Sequence, residues 1–310
     1  MRTFIVHRAA SIIPRIFGIV TLVFLFMHMI PGDPVDMMLG ETAQPADKDE
    51  LRHALGLDRP ILDQYLRYVG GLASGDLGRS LAFQAPVWHL ITSRYPATLE
   101  LALAAVIIAV LAAVPLGVIA AAHQGTFIDR VSIIFALLGV SIPNFALGPV
   151  LIIVFSIGLA WLPVSGRGSP AHLVLPSLTL GLSMAGILAR MTRASLIEIL
   201  REDYVRTAYA KGLPARRVLM AHALRNALTP VLTILGLQFG TLLAGAIVTE
   251  TIFAWPGIGQ LTLDAITARD YPLAQGCVLA IGIGYIVVNT ATDLLYTAVD
   301  PRVRPEQRDH

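Results

Sequence analysis

Six apolar runs, each about as long as a bilayer is thick, limit what this chain can fold into more than any other feature. A hydrocarbon core takes about 20 consecutive apolar residues per helix. The runs fall at about 10–30, 98–122, 131–158, 173–195, 227–249 and 273–298. Charge is held to the connections between them: 14% of the 310 residues are charged, where a soluble domain carries about a quarter. With 55% hydrophobic residues and a mean hydropathy of +0.69, lipid is the implied solvent. Helices are the implied form, because backbone in lipid must satisfy its own hydrogen bonds. The expectation is an all-α integral membrane protein, a single transmembrane domain over 1–310 with six spans.

The first run follows Arg2, His7 and Arg8 and so has the outline of an export signal. No small-x-small cleavage site comes after it. Pro31-Gly32-Asp33-Pro34 ends it instead, and it reads as a retained first span. The segment 31–97 differs in kind. It carries Asp47, Lys48, Asp49, Glu50, Arg52, Asp58, Arg59, Asp63, Arg67 and Asp76, the marks of a solvated insert, with helices expected near 48–55 and 61–72.

Positive charge sets the orientation. With both termini inside, the inner segments hold fifteen of the 23 Lys and Arg residues, and the short outer loops hold only Arg167 and Arg269. Loops rich in Lys and Arg stay in the cytoplasm. The chain therefore reads as a multi-pass protein of the cytoplasmic (inner) membrane with both termini cytoplasmic. The basic residues form no solvated stripe of the kind that grips nucleic acid. Pro115, Pro143, Pro149, Pro176 and Pro230 interrupt the runs, which fits both a bundle that rocks around a path and ordinary membrane-helix packing.

The cytoplasmic segment between spans four and five, 196–226, carries the most information. Glu202 and Asp203 suit a helix start, Lys211 and Gly212 its end, and Pro214 the first turn of the next helix. Acidic groups oppose the dipole at an N-terminus, glycine takes the left-handed conformation after a helix, and proline fits a first turn. A short amphipathic rod outside the bilayer offers a handle to something in the cytoplasm. Its basic residues, taken alone, read first as groups that bind anionic lipid and hold topology.

Here the sequence resembles the EAA loop of binding-protein-dependent ABC-transporter permeases, in particular the dipeptide, oligopeptide and glutathione class. The resemblance runs through LFMHMIPGDP at 25–34, LGLDRP at 55–60, SIP at 141–143, LPSLTLG at 175–181, ARMTRAS at 189–195, LRNA at 224–227, WPGIG at 255–259, RDYP at 269–272 and DLLY at 293–296. Arg206, Thr207 and Ala208 stand where the family has Glu-Ala-Ala, Gly212 matches the motif glycine, and Leu224 the leucine that follows; Arg225 occupies the expected proline position. The resemblance implies a six-helix ABC importer permease with a cytoplasmic coupling helix and a large extracytoplasmic insert after the first helix. The coupling residues it implies are Glu202, Asp203, Tyr204, Arg206, Thr207, Ala208, Lys211, Gly212, Leu213 and Leu224, seated on a partner ATPase. It also implies the partners: two cytoplasmic ATP-binding subunits, a second homologous permease subunit and an extracytoplasmic solute-binding protein, for which 31–97 is the expected platform. The cargo so implied is a peptide or a glutathione-like molecule, with a nickel chelate as the alternative.

The chain itself has no phosphate-cradling GxxxxGK[ST] loop; neither Lys48 nor Lys211 follows a glycine-rich run. No cofactor is expected on this chain, ATP and Mg being used by the partner ATPases, and no catalytic or metal-binding residue is assigned. Among intramembrane polar groups (His28, Glu100, Arg190, Arg193, Glu250, Asn289 and Asp293), Asp293 reads as the partner of Arg190 or Arg193 in a structural ion pair. His28, between Met27 and Met29, lacks a second ligand at helical spacing and reads as packing. The Trp255-Pro256-Gly257 turn is left open between gate, receptor contact and tight connection. An ion-coupled carrier would carry more buried titratable groups at mid-depth, and an intramembrane enzyme would need a nucleophile with its base; Cys277 is solitary and the histidines are scattered.

Overall fold

A computed structural model of the chain describes residues 2–29, 34–40 and 43–299. The described residues are helical, joined by turns, with a single isolated bridge between Arg79 and Pro86. In order they form α1 (Arg2–Met29), α2 (Pro34–Leu39), α3 (Pro45–Leu55), α4 (Ile61–Ala73), α5 (Val87–Ala122), α6 (Phe127–Ser141) and α7 (Asn144–Leu151), which runs on as a π-helical stretch Ile152–Gly158. Then come α8 (Pro170–Ile199), α9 (Asp203–Ala210) and α10 (Ala215–Arg217). A second π-helical stretch, Val218–Ala223, leads into α11 (Leu224–Ile252), followed by α12 (Ile258–Thr267) and α13 (Tyr271–Val299). Four of these helices are long and apolar enough to cross a membrane, five if α6 and the α7 stretch count as one bent span. The described apolar part of α1 is shorter, Ile12–Phe26.

The expected apolar runs coincide with helices, with instructive differences. Helix α5 starts at Val87, well ahead of 98. Its first turns bury Val87 and Ile91 and expose Trp88, His89, Thr92 and Ser93, so only one face is apolar and no uninterrupted greasy run marks it. The third expected span is broken: α6 and the α7 stretch meet at 102°. Ile142, the residue before Pro143, sits at φ −88°, ψ 115°. The proline ring excludes the helical conformation from its predecessor, which ends α6 there.

The described residues gather into two compact units, one drawn from the described part of 2–98 with 256–286 and the other from 99–255 with 287–299. In the first, Val87 and Ile91 of α5 close on Ile258, Leu261 and Ala265 of α12 and on Leu273, Ala274 and Cys277 of α13. Asp270, 1% exposed, holds the connection before α5: its carboxylate accepts from Ser80 Oγ at 2.5 Å, Ala82 N at 2.9 Å and Leu273 N at 3.2 Å. Within the 31–97 segment the two expected helices are present as α3 and α4. Helix α4 lies on α1, with Phe24 packed on the Tyr65 and Tyr68 rings at 5.2 and 5.8 Å and Thr21 Oγ1 2.7 Å from the Tyr65 hydroxyl. His28 is occupied in this contact. Its Nδ1 lies 2.9 Å from Phe24 O and its Nε2 3.1 Å from Gln64 Oε1, the packing role expected of it.

The second unit is centred on α8. Small residues bring α6 onto it: a Cβ on Gly186 would land on the carbonyl oxygen of Ala136, and one on Gly139 would lie 2.6 Å from that of Leu182. Where water cannot drive helices together, such close approach of backbones supplies the attraction through van der Waals contact. Nearer the C-terminus of α8 a Cβ at Gly117 of α5 would lie 2.6 Å from Cβ of Thr192.

Candidate functional site

The sequence of the 196–226 segment dictates its shape locally. Helix α9 opens at Glu202, which has extended backbone (φ −66°, ψ 145°) and makes no side-chain cap, with Asp203 in the first turn. It closes at Gly212, whose φ of +77° lies in the left-handed region; Gly212 N donates to Tyr209 O at 2.9 Å and Leu213 N to Ala208 O at 3.4 Å. Pro214 precedes α10 as its N-cap rather than standing inside its first turn.

Burial divides the expected coupling residues into two sets. Val205 and Ala208 are buried one turn apart and pack with Val218, Leu213, Ile199 and Leu200. Ala208, Leu213 and Leu224 thus face the protein, whereas Glu202, Asp203, Tyr204, Arg206, Thr207, Lys211 and Gly212 are exposed. The exposed set is mixed in charge. Arg206 reaches Asp203 at 3.5 Å with both side chains open to solvent, a contact of at most about 1 kcal/mol. Thr207 Oγ1 donates to Asp203 O at 2.9 Å.

One hydrogen bond ties this rod to α11, and two further contacts join the long helices around it. Asn226 Nδ2 of α11 donates to the Tyr204 hydroxyl at 2.8 Å. Beneath it Ala223 and Ala227 close on Leu196 of α8 and Ala121 of α5. One turn further along α8, Arg193 forms a two-pronged ion pair with Asp129 of α6: Nε to Oδ1 at 2.6 Å and Nη2 to Oδ2 at 2.7 Å. Asp129 is 4% exposed and also accepts Gly125 N at 2.8 Å. The sequence had placed Arg193 or Arg190 opposite Asp293. Arg193 is taken by Asp129, Arg190 is exposed, and the Asp293 side chain lies outside the described residues. Asp129 was missed because it stands beside Arg130 at a helix start, where an acidic residue already has a reason to be: Thr126 caps α6 and Asp129 occupies its first turn.

The remaining polar candidates lie apart from this rod. Glu100 accepts two hydrogen bonds from Arg167, at 2.6 and 3.0 Å. The Arg167 guanidinium stands 5.6 Å over the Trp255 ring. That ring is 1% exposed and offers nothing to an outside partner, which favours the tight-connection reading of the turn. Glu250 is fully buried on α11. Among the described residues no three His, Cys, Asp or Glu side chains cluster as a metal site.

Comparison with known proteins places this architecture. The chain is 46% identical to the di/tripeptide transport system permease protein DppB of Pseudomonas aeruginosa (strain UCBPP-PA14), over 99% of this chain and 100% of that protein. It is 44% identical to the dipeptide transport system permease protein DppB of Escherichia coli (strain K12), over 98% and 99%. The figures are 43%, 98% and 99% for the glutathione transport system permease protein GsiC of the same strain. Among solved structures, the inward-facing MetNI methionine ABC transporter matches with a TM-score of 0.58 at 18% identity, covering 69% of this chain and 97% of that one, a likeness of fold. Residues 113–305 match the model of the binding-protein-dependent transport system inner membrane component, and residues 1–102 that of the N-terminal region of these membrane components. With both matches and near full-length relatives, the chain belongs to the family of binding-protein-dependent transport system inner membrane components.

Proposed function

We propose that this chain is a permease subunit of an ATP-driven importer that carries di- and tripeptides or glutathione-like peptides across the cytoplasmic membrane. The relatives named above are permeases of dipeptide, di/tripeptide and glutathione transport systems, which supports the substrate class. In this reading the chain crosses the membrane six times with both termini inside. The 31–97 segment faces outward and receives a solute-binding protein. A second permease completes the path, and two cytoplasmic ATP-binding subunits hydrolyse ATP with Mg.

The observation that carries the reading is the two-sidedness of α9. Its inner face is clasped by Val218, Leu213 and the end of α8, while Glu202, Asp203, Arg206, Thr207 and Lys211 stand in solvent. An isolated helix of this length does not persist in water, so the clasp is what keeps it formed. A preformed polar rod loses little conformational freedom when a partner seats on it. Its clasped side passes a displacement to α8 and α11.

The test is transport by the full complex in liposomes, with the ATP-binding subunits, the second permease and the binding protein. Uptake of labelled dialanine is expected to need ATP on the cytoplasmic side and to persist after proton and sodium gradients are collapsed. Uptake that follows an ion gradient and ignores ATP overturns the reading.

A further inference from the structure

Helix α4 (Ile61–Ala73) has two unlike sides. At about 100° per residue, Leu62, Tyr65, Leu66, Tyr68, Val69 and Leu72 fall on one side, and Asp63, Arg67, Gly70 and Gly71 on the other. Helix α1 covers only part of the apolar side. Tyr65 and Tyr68 pack on Phe24, which is left 4% exposed. Leu62 and Leu66, one turn apart on the adjoining flank, remain 63% and 59% exposed. A single exposed leucine is ordinary, but two on one flank, with both charges of the helix turned away from them, make a face that water does not suit.

The depth at which α4 meets α1 decides what covers that face. The contacts fall on Thr21, Phe24 and His28, a stretch of α1 that rises about 10 Å. Thr21 and Phe24 belong to the apolar run Ile12–Phe26. On the same turns of α1, Leu22, Leu25 and Phe26 are 54%, 46% and 62% exposed, and in a spanning helix such residues meet hydrocarbon. The tyrosines hold α4 level with them, so Leu62 and Leu66 lie within a side chain's length of the same depth. The polar turn before α4 sits where α1 ends: Gln64 Nε2 donates to Leu57 O at 3.2 Å and Arg59 O at 2.9 Å, while its Oε1 lies 3.1 Å from His28 Nε2. Tyrosine, with an apolar ring and a polar tip, suits this boundary between lipid and water. A soluble partner would have to enter the leaflet to reach the two leucines.

We infer that α4 is an interfacial helix seated in the outer leaflet of the membrane, with its Leu62–Leu66 flank on acyl chains and its Asp63–Arg67 side toward water. Helices of this kind bury their apolar face about 5–10 Å into the boundary between headgroups and chains. The 31–97 segment is thus not solvated throughout. Helix α4 widens the membrane footprint of α1, and a binding protein is left the polar side of α4 and the rest of the segment to meet. The inference rests on the importer reading above for the passage of α1 through the bilayer and for the leaflet that α4 occupies.

The experiment uses the assembled complex in liposomes, with a nitroxide label on Leu62→Cys, Leu66→Cys, Asp63→Cys or, on α1, Phe26→Cys. The unsubstituted protein supplies the background from the buried Cys277. Power-saturation EPR reads the collision of each label with oxygen, which concentrates in hydrocarbon, and with chromium oxalate, which stays in water. All four positions are exposed, so labelling removes no core contact. Labels at Leu62 and Leu66 are expected to favour oxygen over chromium oxalate several-fold more than the label at Asp63 does, and to match the label at Phe26. Access to chromium oxalate equal to that at Asp63 would mean a solvated flank and overturn the inference. Shielding from both reagents would mean that a protein partner covers the flank, and would overturn it equally. Either result leaves the importer reading intact while the Phe26 label favours oxygen. A Phe26 label open to chromium oxalate takes α1 out of the bilayer and overturns the six-span reading together with the inference.

Discussion

Asp129 and Arg193, 64 positions apart in sequence, are joined by two hydrogen bonds of 2.6 and 2.7 Å that pin the start of α6 to the C-terminal third of α8. The two partners are unequally covered: the Asp129 side chain is 4% exposed and that of Arg193 25%. Removing the arginine strands a buried carboxylate, whereas removing the aspartate leaves a guanidinium that still reaches solvent. Breaking a buried pair from one side costs about 3–5 kcal/mol. Arg193→Ala is expected near the lower end of that range and Asp129→Ala well below it, read as unfolding midpoints in detergent. The double variant Asp129→Arg with Arg193→Asp should recover part of the loss. Equal costs for the two single variants would contradict the asymmetry.

Gly212 makes a different demand. A Cβ there would meet nothing within 4 Å, but φ is +77°, so conformation and not space is what restricts the position. A β-branched residue is strongly disfavoured there, and asparagine is tolerated. Gly212→Val is expected to reduce the amount of ATP-binding subunit that co-purifies with the permease several-fold, and Gly212→Asn to leave it near wild type. Identical recovery for the two would show that the turn has no part in the docking.

At Gly186 the limit is space. A methyl group would meet the Ala136 carbonyl, whose backbone cannot retreat without moving α6. Overpacking of this kind costs about 1–3 kcal/mol. Gly186→Ala should lower the thermal midpoint, while Gly18→Ala, with nothing within 4 Å of the new carbon, should hold or raise it, since alanine suits a helix better than glycine. A Gly186→Ala protein as stable as wild type would mean that α6 and α8 are free to part.

Tyr68 on α4 gives a pH signature. Its hydroxyl is buried without a partner, and burial pushes its pKa up from 10 to about 12. The unfolded phenol ionises near pH 10 while the folded one keeps its proton, so the contribution to stability is whole below pH 10 and is lost as pH rises toward 12. Tyr68→Phe removes the unpaired oxygen and keeps the ring on Phe24. It should be at least as stable as wild type at pH 8 and lose less stability between pH 10 and 12. Parallel stability curves for the two proteins across that window would refute the assignment.

The parts of this fold legible in sequence are those written in uninterrupted apolarity or in local turn chemistry. Helices α8 and α13 announced themselves by length, and Asp203, Gly212 and Pro214 marked the ends of α9 and the start of α10. What escaped depends on partners distant in the chain. The opening turns of α5 hide their apolar face at Val87 and Ile91 among polar neighbours. The inward set of α9, Val205 with Ala208, becomes distinct from the outward set only once Val218 folds back on it. Arg193 was matched by charge alone to Asp293, and the choice of Asp129 is made by the crossing of α6 and α8 at Gly139 and Gly186, which sequence spacing does not encode.

The π-helical stretch Val218–Ala223 between α10 and α11 gives the exposed rod a gearing. A π-turn takes up one residue more than an α-turn, so every side chain before it is out of phase by roughly 100° with the direction an unbroken helix would give it. Rewinding of those six residues into α register would carry α9 around the axis of α11 by about that angle, with α11 itself standing still. The same six residues thus set where the rod points relative to α11.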